Sequence, residues 1–387
     1  TPSFENLSTL TDKYGDEEDS LMFKILSSGE KVKKADINSL NDGKLSKFAN
    51  SISDKALRYD LTVPLSRFVQ QNLNEITLPF KRFQTQLVWR ADRPQKGRYR
   101  EFLQCDVDII GEKNFLNEVE CIKVYDYVFE NLGLPKLVLR INNREILEGI
   151  SKIMNLGSLS EISSTLDKSD KIGIDGVVNE LTKKGINTKS IDKLIFFLNI
   201  EGSNEDKIEI VRKEFNSKNI SSDSIDLIQK IINTCNQFKL NNIEIKFDLS
   251  LARGLGYYTG SIVEVCSPKE FNIGSIGGGG RYDDLVQKNE PKLSGFGISF
   301  GFDRIFLILE ELNLFPNLLD SSKSFLFLNF GTDKISNFIE SVNQLRKGGI
   351  ICEIYPGDVK IKKQLDYANK KGIDFVIIIG EDELKKD

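Results

Sequence analysis

Histidine is absent from this 387-residue sequence, and methionine and tryptophan are scarce, with two and one residues. Without an imidazole the chain has no Ser-His-Asp triad, no Cys-His nucleophile pair and no histidine ligand for a metal ion. Catalysis must therefore rest on carboxylates, cations, backbone donors and an ion carried by a substrate, such as Mg²⁺. We expect no metal site built from histidine or cysteine.

Long apolar runs are also missing. No stretch approaches the ~20 apolar residues that span a bilayer, so we predict no membrane partner. The runs Leu194–Leu198 and Phe375–Ile379 are short and typical of core segments. No signal peptide is recognisable, and because the first residue is Thr1 rather than Met, we expect native residues to precede it.

Cysteine is sparse and forms no CxxC pair. This pattern is typical of reduced thiols in a cytoplasmic protein rather than a disulfide framework or a zinc site, so we predict a cytoplasmic location. The net charge of −4 gives no overall attraction to nucleic acid, and such a partner would need a local basic patch. The cysteines are Cys105, Cys121, Cys235, Cys266 and Cys352.

Two antiparallel strands are predicted over 82–90 and 100–110, where apolar and polar residues alternate. A charged loop with Pro94 and Gly97 joins them. Such a pair would have an apolar back and a polar front. The back would carry Phe83, Thr85, Leu87, Trp89, Leu103, Cys105, Val107 and Ile109, and the front Gln84, Gln86, Arg90, Phe102, Gln104, Asp106 and Asp108.

The joining loop, WRADRPQKGRYREF (89–102), is rich in cations. A run of cations is usually a solvated face, but both flanking strands here add further polar groups to the same front. Guanidinium groups bind phosphate oxygens in a bidentate manner, and Phe102 is able to stack on a base. The pattern favours a phosphate or nucleotide site over a solvated loop. The cations are Arg90, Arg93, Lys96, Arg98 and Arg100.

The rest of the chain predicts three further regions. Residues from about 150 to 240 have helical periodicity and form a predicted helical insertion. A strand over Ile243–Leu249 then leads into three glycine-containing segments at 251–265, 275–285 and 294–306. After the linker DSSKS, alternating strand and helix patterns predict a small parallel α/β domain. The chain stops at Asp387 directly after a strand, so we expect this domain to be incomplete.

Three of these features are ambiguous on pattern alone. Gly277–Gly280 is either a turn or a backbone that a ligand approaches closely. Arg253, followed by two tyrosines, fits a surface turn as well as a functional site. Arg304 lies in the first turn of a predicted helix, where a cation opposes the helix dipole unless an anion is near.

Taken together, the segments resemble the histidyl-tRNA synthetases, a family of class II aminoacyl-tRNA synthetases. TPSFENLSTLTDKYGDEEDSLMFKIL is similar to the N-terminal dimer-interface motif, FKRFQTQLVWRADRPQKGRYREFLQCDVDIIG to motif 2, and GFGISFGFDRI to motif 3. ARGLGYYTG and GGGGRYD resemble two segments peculiar to the histidine enzymes.

The resemblance implies an α+β fold, with a class II antiparallel sheet flanked by helices, and a homodimer. The expected domains are a catalytic part at 1–148 with the dimer-interface motif and motif 2, a helical insertion at 149–240, a second catalytic part at 241–318, and an α/β anticodon-binding domain at 324–387. The implied activity is ATP-dependent conversion of L-histidine to histidyl-adenylate, followed by transfer to the 3′ end of tRNA(His).

For ATP, the resemblance implies that Arg90 holds the α-phosphate and Arg304 the β- and γ-phosphates of a bent nucleotide. Phe102 would stack the adenine against Arg304. Asp92 and Arg98 would belong to the same site. Mg²⁺ would accompany the phosphates.

For the amino acid, the resemblance implies that the α-ammonium group is bound by Asp60, Thr62 and Gln104. Asp108 and Tyr258 would each bind one imidazole nitrogen.

The resemblance also implies roles beyond these two groups of contacts. Tyr257 and Tyr282 would line the histidine pocket, and Arg253 would bridge the substrate carboxylate and the α-phosphate. Arg90, Arg253 and Arg304 would thus be the catalytic residues. Gln95 and Lys96 in the motif 2 loop would contact the tRNA acceptor end.

The chemistry of the first step suits a chain without histidine. The substrate carboxylate is already the nucleophile at neutral pH, so no general base is needed. The difficulty is to bring two anions together and to stabilise charge on the α-phosphoryl group, which fixed guanidinium groups and Mg²⁺ do.

One departure from the family pattern is Gly256, where the family usually has Asp. We expect the extra glycine to loosen the loop that carries Arg253 and Tyr258. The main alternative is a non-catalytic paralogue, such as the histidine-binding regulatory subunit of ATP phosphoribosyltransferase. A sensor domain that binds uncharged tRNA is a third. The intact Arg90, Arg253 and Arg304 argue against both, and the anticodon-binding segment argues against the regulatory subunit.

Overall fold

The computed structural model describes residues 2–156, 159–252, 256–271, 273–286, 293–315, 323–331, 336 and 338–379. The chain divides into two units, Thr1–Leu314 and Phe315–Asp387. Most of the predicted linker DSSKS lies outside the described residues, as does Arg253.

A small antiparallel sheet of order β1-β3-β2 lies in the first part of the chain. Helix α5 follows it, and Asp60 accepts the backbone N–H of Val63 in the first turn at 3.1 Å, which satisfies one of the free donors at a helix start. In chain order the elements are β1 (Phe4–Asn6), α1 (Leu7–Leu10), α2 (Asp16–Ser20), β2 (Lys24–Leu26), α3 (Ile37–Asn41), α4 (Leu45–Ser51), β3 (Ser53–Leu57) and α5 (Thr62–Gln71).

A seven-stranded sheet forms the centre of the first unit, in the order β4-β5-β10-β9-β8-β6-β7. Every neighbouring pair is antiparallel except β6 and β7. The predicted antiparallel pair is therefore confirmed as β4 and β5. The strands are β4 (Phe80–Trp89), β5 (Glu101–Gly111), β6 (Leu137–Asn143), β7 (Ile243–Phe247), β8 (Ser261–Cys266), β9 (Ser275–Arg281) and β10 (Ser294–Gly301).

Helices flank this sheet, so the predicted α+β architecture is confirmed. Buried residues of the helices after β6 join one hydrophobic core with the sheet, so Phe215 and Ile228 share a cluster with Ile109. The boundaries of the insertion at 149–240 stay a prediction. The helices are α6 (Leu116–Asn131), α7 (Arg144–Ile153), α8 (Ser160–Leu166), α9 (Ser169–Lys183), α10 (Thr188–Leu198), α11 (Asn204–Ser217), α12 (Asp223–Gln237), α13 (Asp283–Val286) and α14 (Phe302–Glu311).

The two faces of β4 differ from the expectation of a covered apolar back. Phe83 is 78% exposed and Leu87 is 37% exposed. The reason is that β4 is the edge strand of the sheet, with a paired strand on one side only. On β5, one strand further in, Cys105, Val107 and Ile109 contribute to the core as predicted.

The second unit contains a parallel sheet of order β12-β11-β13, which confirms the predicted α/β pattern. Among the described residues of the chain, no helix is long and apolar enough to cross a membrane. The elements are β11 (Ser324–Phe327), α15 (Ile339–Lys347), β12 (Ile351–Ile354), α16 (Ile361–Lys371) and β13 (Phe375–Ile377).

Candidate active site

The polar front of the central sheet brings together charged residues from separate strands. The register of β4, β5 and β10 places Asp108 between Arg82 and Gly297 and sets Asp106 opposite Ser299. Because alternate residues of a strand face the same side, Asp106 and Asp108 lie on one face, as the sequence predicts. This face is the floor of the candidate site.

Asp108 is a buried carboxylate with two partners. The Tyr282 hydroxyl donates to its Oδ1 at 2.7 Å, and Nη2 of Arg82 lies 2.9 Å from its Oδ2. Burial raises the pKa of Asp108, and the nearby Arg82 charge opposes that shift. A Cβ at Gly297 would lie 2.1 Å from Oδ1, so only glycine leaves room for the carboxylate above β10.

Asp60 is equally buried and is held by two tyrosines. Its Oδ1 accepts from the Tyr14 hydroxyl at 3.0 Å and its Oδ2 from the Tyr257 hydroxyl at 2.7 Å. Thr62 is hydrogen-bonded to Tyr257 in turn. Burial raises the pKa of Asp60, and hydrogen bonds from Tyr257 and the Val63 backbone counteract it. The structure therefore joins the predicted residues Asp60, Thr62 and Tyr257 in one network.

Gln104 has one amide atom bound and one without a partner. Its Nε2 donates to the Ser299 hydroxyl at 3.0 Å. Its Oε1 is buried, and no hydrogen-bond partner for it exists among the described residues. A buried carbonyl oxygen without a donor is uncommon in folded proteins and indicates a place where a ligand donates.

The four-glycine run forms β9, and its members meet different surroundings. A Cβ at Gly277 would lie 2.7 Å from the Tyr125 hydroxyl, and one at Gly280 would lie 2.8 Å from the Tyr258 ring. At Gly278 the nearest heavy atom would be 3.7 Å away. The run is thus a strand rather than a turn. Close packing requires glycine at Gly277, Gly279 and Gly280, where a Cβ at Gly279 would lie 2.2 Å from the Gly297 carbonyl oxygen, whereas Gly278 has room for a Cβ.

Tyrosine rings enclose the amino-acid side of the floor. The ring centroid of Tyr257 lies 4.9 Å from that of Tyr258 and 6.3 Å from that of Tyr282. Burial raises the pKa of both Tyr257 and Tyr282 well above the usual value. Their hydroxyls therefore stay protonated at neutral pH and act as donors to the carboxylates.

Arg90 lies at the other end of the floor, between two aromatic rings. Its guanidinium carbon is 4.4 Å from the Tyr59 ring centroid and 5.2 Å from that of Phe102. Its Nε donates to the Tyr59 carbonyl at 3.1 Å. Such stacking fixes a planar cation while its remaining N–H groups stay available for an anion.

Arg304 is the third residue of α14, as predicted. Its Nε donates to the Gly97 carbonyl at 2.7 Å and its Nη1 to the Ser275 carbonyl at 2.5 Å. It therefore joins the motif 2 loop to the start of the glycine strand.

The motif 2 loop is tied back by ion pairs. Asp92 and Arg98 lie 3.6 Å apart, and Gln95 and Arg98 form a backbone bridge. Lys96 forms an ion pair with Glu311 at the end of α14. The roles predicted for these loop residues in nucleotide and tRNA binding stay predictions.

Gly256 makes a close backbone contact, and the expected loosening of the loop that carries Arg253 stays a prediction. Its N–H donates to the Tyr14 carbonyl at 2.7 Å, and a Cβ here would lie 2.5 Å from that oxygen. The glycine therefore lets the two backbones meet. The role of Arg253 stays a prediction, because residues 253–255 lie outside the described part of the chain.

Sequence reasoning missed three residues of this site. Arg82 shares the front face of β4 by simple alternation, so the pattern contained the signal for it. Ser299 lies at an alternate position of β10 and is recognisable only from the strand register. Tyr14 reaches Asp60 across 46 residues, and no local pattern indicates such a contact.

Comparison with known proteins gives a consistent result. The family model described as histidyl-tRNA synthetase matches residues 37–305, and the anticodon binding domain matches 328–387. The histidine–tRNA ligase of Christiangramia forsetii is 47% identical over 99% of this chain and 85% of its own length. The histidine–tRNA ligase of Azobacteroides pseudotrichonymphae genomovar. CFP2 is 49% identical over 100% of this chain and 84% of its own length.

A solved structure agrees with these relatives. The crystal structure of histidyl-tRNA synthetase from Nostoc sp. PCC 7120 has a TM-score of 0.72 and 28% identity, and covers 100% of this chain and 84% of that one. The motifs, the antiparallel sheet and the identity to the relatives over nearly the whole of this chain all agree. The chain belongs to the histidyl-tRNA synthetase family.

Proposed function

We propose that this chain activates L-histidine with ATP and transfers the histidyl group to the 3′ end of tRNA(His). The observation that carries the proposal is the floor itself. At one end lie buried carboxylates and the buried amide oxygen of Gln104, to which no described residue donates a hydrogen bond. At the other end lies the stacked guanidinium of Arg90. The first end suits a cationic, hydrogen-bonding amino acid and the second suits phosphate.

On the amino-acid side, Asp108 would accept a hydrogen bond from an imidazole N–H, and the Tyr258 hydroxyl would serve the other ring nitrogen. An ionised carboxylate has about four lone-pair sites, so Tyr282 and Arg82 leave capacity for the substrate. The α-ammonium group would lie near Gln104 and the Asp60 network. Buried polar groups of this kind reject ligands that lack the matching donors.

On the nucleotide side, the substrate carboxylate oxygen would attack the α-phosphorus of ATP. The bond to the β-phosphate breaks, and pyrophosphate leaves with its electrons. Arg90 would stabilise charge on the α-phosphoryl group, with Arg253, and Arg304 would hold the leaving phosphates. Mg²⁺ would arrive as part of the MgATP substrate. Phe102, Asp92 and Arg98 would complete the nucleotide pocket.

The transfer step requires tRNA as the acceptor of the histidyl group. Residues 328–387 match an anticodon binding domain, and Gln95 and Lys96 would meet the acceptor end.

We also propose that the chain forms a homodimer. Exposed apolar residues on the edge strand and in the N-terminal region, including Phe83, Phe4 and Leu26, fit burial in a homodimer. In the part of the chain that the structure describes, none of the five cysteines forms a disulfide bond, which fits a cytoplasmic location.

The deciding experiment is ATP–pyrophosphate exchange by the full chain with each of the twenty amino acids. We expect histidine alone to stimulate exchange. If histidine binds to the dimeric protein and no exchange occurs, the regulatory-subunit alternative replaces this proposal.

A further inference from the structure

Three side chains on two neighbouring strands form a continuous hydrogen-bonded line beneath the candidate ammonium site. Asp106 of β5 lies opposite Ser299 of β10 and accepts a hydrogen bond from its hydroxyl. Gln104, two residues before Asp106 on the same face, donates its Nε2 to the same hydroxyl at 3.0 Å. Asp106 is 3% exposed, so the line is largely shielded from water.

The chemistry of these groups fixes the direction of each hydrogen bond. When Asp106 is ionised, as an ammonium ligand favours, its carboxylate only accepts, so the single proton of Ser299 must point to Asp106. Towards Gln104 the Ser299 oxygen is then only an acceptor, and the Gln104 amide must present its NH₂ group. Its carbonyl oxygen is left facing the opposite way. An amide orientation is set by such a network.

We propose that Asp106 is a positioning residue that acts through Ser299 to orient Gln104, so that Oε1 of Gln104 accepts a hydrogen bond from the α-ammonium group of the substrate. This inference rests on the proposed function, and it adds Asp106 and Ser299 to the residues that determine amino-acid binding.

Two buried oxygens support the assignment. Oε1 of Gln104 and Oδ1 of Asp106 both lack a hydrogen-bond partner among the described residues. Each unpaired buried acceptor costs free energy in the empty protein, which a donor on the ligand recovers. With the amide reversed, its NH₂ group would face the ammonium group, donor against donor.

The charge around Asp106 favours a cationic ligand. Burial and the neighbouring Asp108 raise the pKa of Asp106 to about 7, with Asp60 adding to the effect and Arg82 and Ser299 opposing it. Tyr125 and Tyr258 are the tyrosines near this carboxylate. An ammonium group bound here would add the missing positive charge and favour the ionised form of Asp106.

The test compares two ligands that differ in the ammonium group alone, L-histidine and imidazolepropionate, which lacks the α-amino group. In Asp106→Asn, the new amide is able to donate to the Ser299 hydroxyl. Ser299 would then donate to Gln104, and the Gln104 amide would turn its NH₂ group towards the substrate. We expect the Kd of L-histidine, measured by calorimetry, to rise about 10- to 100-fold, the range of a hydrogen bond to a charged group. The Kd of imidazolepropionate should change less than about 3-fold.

Two further variants show whether Asp106 acts through the line. Ser299→Ala should weaken histidine binding less than Asp106→Asn, because Gln104 is then free to adopt either orientation, and Ser299→Thr should restore it. In a Gln104→Ala background, Asp106→Asn should weaken histidine binding clearly less than it does in the wild-type protein, because only the loss of its charge near the ammonium group remains. In exchange assays the histidine KM should rise while the ATP KM and kcat stay nearly constant.

Equal losses for both ligands, or an undiminished effect in the Gln104→Ala background, would overturn the proposal. Unchanged histidine binding in a folded Asp106→Asn protein would do the same. A wild-type protein that binds no histidine would instead reject the proposed function, so the two failures are distinguishable.

Discussion

Two regions of the first unit differ in how their buried carboxylates are hydrogen-bonded. Asp126, on α6, has both oxygens satisfied: Oδ1 accepts the backbone N–H groups of Asn242 and Ile243 at 2.7 and 3.1 Å, and Oδ2 lies 2.8 Å from Nζ of Lys123. Asp106 and Asp108 lie on one strand face. Asp108 is paired with Tyr282 and Arg82, whereas Oδ1 of Asp106 has no hydrogen bond from a described residue.

The pKa values follow this difference. Burial raises the pKa of Asp126, but hydrogen bonds from Lys123 and from the backbone at Asn242 lower it. Together these hydrogen bonds outweigh burial, so the pKa of Asp126 is below its usual value. Burial dominates at Asp106 and Asp108, whose pKa values are raised. A carboxylate whose oxygens are all paired stabilises the fold, whereas two buried carboxyls with raised pKa values on one strand face are typical of a ligand site.

We expect the strongest change in activity from a substitution of Asp108, compared with the same substitution of Asp126. Asp108→Asn keeps the size of the side chain but replaces one acceptor with a donor. We expect the histidine KM in pyrophosphate exchange to rise about 100-fold or more, since buried polar recognition discriminates strongly, with a nearly unchanged ATP KM. The matched control is Asp126→Asn, which should lower thermal stability and leave the histidine KM unaltered. If both variants changed the histidine KM and the thermal stability to the same extent, Asp108 would not be a histidine-binding residue distinct from the structural Asp126.

Two glycines of β9 should differ in whether an added methyl group affects histidine binding or protein stability. Gly278→Ala adds a methyl group in ordinary contact distance, 3.7 Å, so stability should change by less than about 1 kcal/mol. Gly278 lies opposite Ser299, so the methyl group would be added next to the proposed ammonium site, and we expect the histidine KM to rise about 10-fold. Gly277→Ala, only 2.7 Å from the Tyr125 hydroxyl, should lower the melting temperature instead. Comparing both variants by calorimetry and exchange kinetics tests the contrast.

The dependence of stability on pH should have opposite signs at Asp106 and Asp126. A raised folded-state pKa gives stability that is present below the unfolded value of about 3.9 and lost as pH rises through about 7. Asp106→Asn should therefore be more stable than wild type at pH 8, by at least about 1 kcal/mol in urea unfolding, and similar at pH 4.

For Asp126 the folded pKa is lowered, so its contribution is present above the unfolded pKa and lost as pH falls through the folded value. Asp126→Asn should thus be less stable than wild type at pH 7, and the deficit should shrink in acid. An Asp106→Asn protein that is destabilised at pH 8 would show that Asp106 is structural, like Asp126.

The smallest effect concerns the backbone contact beside the tyrosines. Gly256→Asp would place a Cβ 2.5 Å from the Tyr14 carbonyl oxygen. Restoring the usual family residue should therefore lower stability by about 1–3 kcal/mol. Gly357→Ala, whose nearest contact would be 3.6 Å, is the control and should be nearly neutral. A Gly256→Asp protein that is more stable than wild type would show that the close approach to the Tyr14 carbonyl does not require glycine.

Alternation of residue types was enough to predict the β4 and β5 strands and the shared polar face of Gln104, Asp106 and Asp108. It was not enough for Ser299, because which residue lies opposite Asp106 depends on the register between strands far apart in sequence. The exposed back of β4 escaped prediction for a similar reason. Phe83 has the pattern of a core residue, and only the strand order shows that its strand is at the edge.

Gly277–Gly280 shows how far local reasoning extends. The sequence indicated close approach to a backbone, and the structure shows that at Gly277 and Gly280 the approaching groups are tyrosines of the chain itself. The pairing of Asp108 with Arg82 was likewise within reach of the alternation rule. The network of Tyr14, Tyr257 and Asp60 depends on three distant segments and follows only from the folded chain.

If Asp108 recognises the imidazole ring of histidine, the bound ring should be directly observable, because the chain itself contains no histidine. Nuclear magnetic resonance of ¹⁵N-labelled L-histidine bound to the untagged full chain reports on one imidazole alone. We predict a protected, hydrogen-bonded N–H signal that is lost in Asp108→Asn while the ATP KM is retained. An imidazole that titrates and exchanges as it does in free histidine, with and without Asp108, would contradict the account.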